Sequence, residues 1–338
     1  MVRGGRTAQG GGSGTSTMGP APGAPEVRSV RPDGLDRAPV PRVGSVVIPA
    51  RDEAAVIGRG LDRLLRSLGR DVEVVVVCNG CADDTAAVAR RRGRAVTVIE
   101  VDVASKERAL RTADHRATVF PRVYLDADVL VSGTAVRAVL AHLAGPGALA
   151  ARPPLVYDTS ASSWPVRRFY RARAELPSVM GRLWGAGFYA LSAAARRRFD
   201  EFPLGLADDL FVDRLFRTDE IALVDTEPVV VVAPATLAGL LATFRRTFRR
   251  NRALDREPAH GLAAAQPAGS VERAGRTAAC DRPGTRATVR ELVRLACRGP
   301  DRFADAAVYA GVVAAARVLA RRHPPGSRVW ERDETSRR

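Results

Sequence analysis

The chain has 338 residues, 46% of them hydrophobic and 27% charged, with a formal net charge of +16. These are the proportions of a soluble globular protein with room for one large core or two modest ones. A charge of this size ordinarily points to nucleic acid or an anionic surface, but here it is almost all arginine spread along the chain, with Lys106 as the single lysine. An aromatic content of 5% is also poor provision for base stacking, so no nucleic-acid partner is expected. Four cysteines (Cys78, Cys81, Cys280 and Cys297) are too few and too scattered for a secreted disulfide framework. No histidine lies near the Cys78–Cys81 pair to complete a zinc set, so reduced thiols are expected.

Residues 1–42 are rich in Gly, Pro, Ser and Arg without apolar periodicity, and read as a disordered lead. The lead has no long apolar core, so a secretory signal is not expected. From residue 43 short apolar strands alternate with amphipathic helices. SVVI at 45–48 is the first strand, followed by a helix whose stripe is Val56, Ile57, Leu61, Leu64, Leu65 and Leu68. VEVVVVC at 72–78 is the second strand, then a helix from Ala86 to Arg92 capped by Asp83 or Asp84 and stopped at Gly93. AVTVIEV at 95–101 and RVYLDAD at 122–128 are the third and fourth strands.

Strands without polar alternation, joined by helices, make a mostly parallel sheet covered on both faces, a doubly wound α/β fold. The second half is less regular. A helix is expected over 167–176, a glycine-flanked strand over LWGAGFYALS at 183–192, a helix over 206–216 and a strand over 229–233. Residues 258–284 read as a linker or mobile loop, 285–323 as two C-terminal helices and 324–338 as a polar tail. The last helix has an apolar stretch from Ala304 to Ala320, short for a membrane span, and a packed helix is expected.

Ligands of such sheets bind beyond the carboxyl ends of the strands, where the polar residues of this chain collect: PARDE at 49–53, CNGCADDT at 78–85, VDVASK at 101–106 and the pair Asp126 and Asp128. Two carboxylates at i and i+2 on an extended segment point the same way. Such a pair suits a hard divalent cation completed by substrate phosphates; a polar loop start with a helix-capping aspartate is the plain alternative. Lys106 stands out because arginine fills every other basic position. A compact ammonium suits one phosphate or ribose oxygen where a guanidinium is a broad fork.

The ordered series VVIPARDEAAVIGRGL, VVVVCNGCADDTAAVA, ASKERAL, YLDADV, WGAGFYALS and ADDLFVDRL resembles family 2 glycosyltransferases of the GT-A fold, over residues 44 to 250. The resemblance implies a GT-A-like doubly wound sheet with flanking helices and a C-terminal helical extension. The catalytic domain would span 43–257, divided into a nucleotide-binding half at 43–130 and an acceptor half at 131–257. It implies that Pro49, Arg51, Glu53, Asn79, Asp83, Lys106 and Asp126 surround the nucleotide and that Asp128, helped by Asp126, holds Mg2+ or Mn2+. Asp209 would be the catalytic base, with Trp184, Gly185, Gly187 and Asp208 on the acceptor side; Asp208 stands where the family commonly has Glu. For each motif a turn or helix cap is the structural alternative.

The implied activity is metal-dependent, inverting transfer of one sugar from a nucleotide-sugar donor to a hydroxyl of a glycan, a lipid-linked compound or a small molecule, in cell-envelope, polysaccharide or glycolipid synthesis. The QxxRW signature of processive relatives is missing from the region of TFRRTFRRNRAL, whose arginines read as a solvated or lipid-facing basic stripe, with a reach of Arg246 or Arg249 to the diphosphate as the alternative. A cytoplasmic location is expected, with peripheral contact to the anionic inner face of the plasma membrane through the C-terminal basic amphipathic helices. The rival readings are a sugar nucleotidyltransferase, whose GxGxR loop has no counterpart after the first strand, and a non-catalytic arginine-rich protein binding membrane or RNA.

Overall fold

The computed structural model describes residues 41–256 and 285–321. The lead as far as residue 40, the linker at 258–284 with Cys280, and the polar tail lie outside the described residues.

A seven-stranded sheet forms the centre. Its strands are β1 (Gly44–Ala50), β2 (Val72–Asn79), β3 (Thr97–Val101), β4 (Arg122–Leu125), β5 (Ala150–Arg152), β7 (Phe188–Leu191) and β8 (Ile221–Leu223), in the order β3-β2-β1-β4-β7-β5-β8. The first four run parallel, with Gly44 opposite Val72 and Val75 opposite Thr97. β7 is antiparallel to both β4 and β5, and β8 is parallel to β5. β6 (Leu155–Asp158) and β9 (Val229–Val232) form a separate parallel pair. Valine runs suit the two-faced burial of these central strands.

Helices α1 (Ile57–Leu68), α2 (Thr85–Arg90) and α4 (Gly133–Ala144) cover one face, with Leu61, Leu64, Leu68, Val136 and Leu140 packed on Val46, Val74 and Val76. Helix α3 (Lys106–Arg116), α7 (Ala193–Arg196) and α8 (Asp208–Asp213) cover the other, over Val47, Val75, Val77 and Tyr124. Leu64 and Leu68 are wholly buried, and truncating either to alanine costs about 2–5 kcal/mol. A third cluster joins α5 (Trp164–Ala174), the short α6 (Pro177–Met180) and α9 (Leu237–Arg256) to the C-terminal helices α10 (Thr285–Ala296) and α11 (Pro300–Arg321), around Phe169, Leu240, Leu295 and Tyr309.

Several sequence expectations need correction. Pro49 does not end the first strand. β1 continues to Ala50 with Pro49 buried opposite Val77; β4 pairs with β1 only as far as Val47, so a residue without an N–H is tolerated beyond that point. The fourth strand stops at Leu125, and Asp126 to Asp128 form a turn in which Val129 N–H donates to Asp126 C=O at 3.2 Å. The strand periodicity used for the aspartate pair therefore does not apply. The strand expected over 183–192 is confined to 188–191. Helix α2 ends at Arg90, and Asp84 at its N-cap makes no side-chain capping bond. Helix α11, at 22 residues, is long and apolar enough to cross a membrane by length and composition, contrary to the expectation of a short stretch. It nonetheless packs on the body, where its buried Asp305 is paired with Arg168 and Arg171 of α5.

Candidate active site

The carboxyl edge of the parallel strands carries four loops that lace into one another. Asn79, 2% exposed at the end of β2, donates from Nδ2 to Ala50 C=O at 3.1 Å and so ties the ends of β1 and β2 together. Its Oδ1 is buried without a hydrogen-bond partner among the described residues. The loops after β1 and β2 exchange bonds: Ala82 N–H donates to Asp52 Oδ1 at 2.6 Å, Ala54 N–H to Asp83 Oδ2 at 3.1 Å and Glu53 N–H to Thr85 Oγ1 at 2.7 Å. Asp52 takes a positive φ of 49° here, a conformation that aspartate tolerates better than most residues. Arg51 lies 4.0 Å from the Asp52 carboxylate. Glu53 also closes the start of α1 through its carbonyl, which accepts from Val56 and Ile57.

Asp52, Cys81 and Asp83 bring ligand-type atoms within 4.8 Å of one another, but the two carboxylates already accept the loop amides. The Cys81 thiol is held down to about 7 by its hydrogen bond with Cys78 and by Asp52 N–H, while Cys78 is pushed up by the same contact and by burial. Both thiols are free.

Gly80 has φ 59°, and a Cβ there would meet Ala104 at 3.0 Å. The Asn-Gly turn thus brings backbone close to the β3–α3 loop; closeness to a ligand was the expectation.

Lys106 is the organising residue. It is the first residue of α3, whose N-cap Ser105 accepts from Arg108 N–H, and its side chain is 20% exposed. The ammonium lies 2.7 Å from Asp126 Oδ1 and 2.8 Å from Asp208 Oδ1. It therefore bridges the turn after β4 to the first residue of α8, raising its own pKa through Asp126, Asp208 and Asp209 against the opposing effect of burial. Asp208, 4% exposed, also accepts from Tyr189 Oη of β7 at 3.2 Å. The phenol of Tyr189 is raised by burial and by that carboxylate, and its ring stacks on Tyr124 at 4.8 Å.

Asp209 faces the loop of Gly185. Its Oδ2 accepts from Gly185 N–H and its Oδ1 from its own helix at Leu210 N–H, each at 2.8 Å. Burial and the neighbouring Asp208 charge raise its pKa above the usual carboxylate value, with Lys106 pulling the other way. Asp126 N–H donates to Gly187 C=O at 2.8 Å. Gly185 and Gly187 have φ of 79° and 61°. A Cβ on Gly187 would meet Val129 Cγ2 at 2.4 Å and Asp126 Oδ2 at 3.2 Å, and one on Gly185 would meet Arg173 Nη2 at 3.0 Å. The two glycines admit protein neighbours where a ligand had been expected. Trp184 likewise carries the Arg173 guanidinium 5.2 Å above its ring. Asp128 is exposed on the outer side of its turn.

The structure thus brings together Lys106, Asp126, Asp208, Asp209, Gly185 and Gly187. It leaves Pro49 inside the sheet, and places Arg51, Glu53, Asn79 and Asp83 in the adjoining loop pair. Sequence reasoning missed the clamp beneath the loop of Trp184 and Gly185. Buried Arg182 donates to Asp213 Oδ2 from Nε at 3.0 Å and from Nη2 at 2.7 Å, and Leu183 N–H donates to Asp213 Oδ1 at 2.8 Å. Buried Arg152 then donates to Arg182 C=O at 2.6 Å and to Met180 C=O. Asp213 follows Asp209 by one helical turn in the same short helix, which was the available signal.

Residues 41–192 match the family described as Glycosyltransferase like family 2. Among solved structures, the chain is similar to a mannosyltransferase from Pyrobaculum calidifontis in complex with GDP-Man and Mn2+, at 23% identity and a TM-score of 0.51, covering 83% of this chain and 86% of that one. It also resembles the glucosyl-3-phosphoglycerate synthase from Mycobacterium tuberculosis in complex with Mn2+, UDP and glucosyl-3-phosphoglycerate, at 23% identity and a TM-score of 0.45, covering 63% and 79%. No curated protein sequence matches the chain. The mostly parallel sheet with flanking helices is a GT-A-like fold, and residues 41–192, which carry its parallel strands, are the segment similar to family 2 glycosyltransferases.

Proposed function

We propose that the protein is a metal-dependent, inverting, non-processive glycosyltransferase that moves one sugar from a nucleotide-sugar donor to an acceptor hydroxyl. The observation that carries this reading is the Lys106 bridge. One ammonium joins the Asp126 turn to Asp208, and the next residue, Asp209, is bonded to the loop of Gly185. Donor-side and acceptor-side groups thereby meet at the strand ends, where ligands of such sheets bind.

Asp126 and Asp128 offer hard oxygen donors, one half-buried and one exposed, and such a set fits Mg2+ or Mn2+. Asp128 is the main ligand in this reading, and Asp126, paired with Lys106, stands on the ribose side. When bound, the ion would neutralise charge on the departing diphosphate. The buried Asn79 Oδ1 and the loops of Arg51, Glu53 and Asp83 form the nucleotide side.

On the acceptor side, Asp209 takes the proton of the hydroxyl as its oxygen bonds to the anomeric carbon. The bond from that carbon to the donor phosphate oxygen breaks, and its electron pair leaves on the nucleoside diphosphate. A carboxylate whose proton affinity is raised by burial and by Asp208 is suited to this role.

Thermal-shift screening of UDP-, GDP- and dTDP-sugars with and without Mn2+ identifies the donor by ligand stabilisation. Asp209→Asn should abolish transfer while donor binding persists; equal loss of both would remove Asp209 from the role of base.

A further inference from the structure

The exposed side of α10 is built from two adjacent ridges. Arg286, Arg290 and Arg294 form one, Val289, Val293 and Cys297 the other, each at four-residue spacing and each exposed. Val289 is 50% and Val293 57% exposed. Four-residue steps stack side chains on one helical face, so three guanidiniums run beside three apolar or weakly polar groups for about 16 Å. The only acid of the helix, Glu291, is turned inward, where it accepts from Ser178 Oγ at 2.5 Å.

Helix α11 continues the pattern. Phe303 is 63% exposed, and Ala307, Ala310, Gly311, Ala314 and Val318 are exposed after it on the same stripe for about 22 Å, edged near its end by exposed Arg317. Both exposed faces turn away from the shared cluster of Leu295, Tyr309 and Val312. Of the two acids of α11, Asp305 is buried against Arg168 and Arg171, and Asp301 at the helix start is paired with Arg168.

We propose that this face docks on an anionic lipid bilayer, with the arginines at the headgroups and Val289, Val293 and Phe303 at the acyl boundary. The charge decides the occupant. One row of three like charges, unpaired among the described residues and running beside the apolar ridge, would repel a second copy of the same face, whereas anionic lipid neutralises it and covers the apolar ridge at once. The helix lies on the surface and does not span, because Asp305 pins α11 to the body through two guanidiniums. The face also bears on the active site: Glu291 bonds both the N–H and the hydroxyl of Ser178 in α6, and the chain from α6 leads directly into Trp184 and Gly185.

The test is co-sedimentation of the full chain with vesicles of phosphatidylcholine alone and of phosphatidylcholine and phosphatidylglycerol in equal parts, without donor or acceptor, so that it stands or falls apart from the catalytic reading. Binding is expected only to the mixed vesicles and should weaken with salt. Replacing Arg286, Arg290 and Arg294 together by Gln should weaken it about a hundred-fold. Val293→Asp should weaken it independently of the arginines. Both variants alter exposed residues outside the catalytic machinery, and an unchanged circular dichroism spectrum and melting temperature would show that they fold. Equal binding to both vesicle types, binding unaffected by the triple replacement, or no binding would overturn the proposal. So would a stable dimer that Val293→Asp dissolves while vesicle binding is unchanged.

Discussion

Removing the Lys106 ammonium is the most direct perturbation of the site. Lys106→Met keeps the aliphatic stem but leaves Asp126 and Asp208 without the cation that lies within 2.8 Å of each. The two acids are not equivalent. Asp126 has 37% of its side chain exposed, and water replaces most of what it loses, so its share is about 0–1 kcal/mol. Asp208 is 4% exposed with Tyr189 as its other partner, and stripping the counter-charge from a buried carboxylate costs about 3–5 kcal/mol. The variant should therefore lose about 3 kcal/mol or somewhat more, a fall of roughly 6–12 °C in Tm for a domain of this size.

The pH dependence follows from the raised pKa of Lys106. A cation with a folded pKa above its unfolded value contributes stability that is fully present below the unfolded value, about 10.4, and is lost as pH rises beyond it. The gap between wild type and variant should thus stay flat across the neutral range and close in strong alkali. Urea denaturation followed by circular dichroism at several pH values measures it. A variant within about 0.5 kcal/mol of wild type, the range of ordinary surface changes, would refute the claim that the bridge holds the site together.

Other outcomes are equally specific. Asp209→Asn should leave Tm unchanged or higher, because burial and Asp208 already oppose the Asp209 charge; a fall of several degrees in a melting scan would contradict this. In wild type the acid limb of the pH–rate profile should lie above the ordinary carboxylate value, with activity falling as pH drops through the raised Asp209 pKa, and Asp209→Glu should move that limb. Gly187→Ala should cost donor affinity, read by calorimetric titration, because the new Cβ must displace Val129 and the Asp126 carboxylate from a backbone at φ 61°. Arg182→Ala should destabilise the fold by about 3–5 kcal/mol by orphaning the buried Asp213, visible as a lower urea midpoint.

The parallel half of the sheet was legible because Val46, Val74 to Val77 and Ile99 are buried on both faces and leave no polar alternation to misread. The motif positions of Lys106, Asp126 and Asp209 were legible as well, since polar residues at strand ends stand out against such strands. What they touch was not. That Lys106 reaches Asp208 across 102 residues of sequence depends on where β7 inserts, and β5 and β8, at three residues each, are too short to carry a period. Helix α4 was passed over because GTAVRAVLAHLA is apolar on most sides, a pattern that periodicity reads poorly. The geometry of the aspartate pair was misjudged for a simpler reason: nothing in YLDADV says that the strand ends one residue before the first acid.

The antiparallel direction of β7 has a consequence for how the two halves can change. The sheet divides cleanly into β3-β2-β1-β4 and β7-β5-β8, and among the described residues the only ladder between them is the four residue pairs from Arg122–Leu191 to Leu125–Phe188. Because β7 runs against β4, its first residue abuts the last residue of β4, and the bond from Asp126 N–H to Gly187 C=O closes the end of that seam. Any slide or splay along the seam moves the Asp126 turn and the Gly187 loop by the same amount at the same moment. The two loops can therefore diverge in sequence, but their alignment is inherited as one quantity, fixed by a four-residue strand.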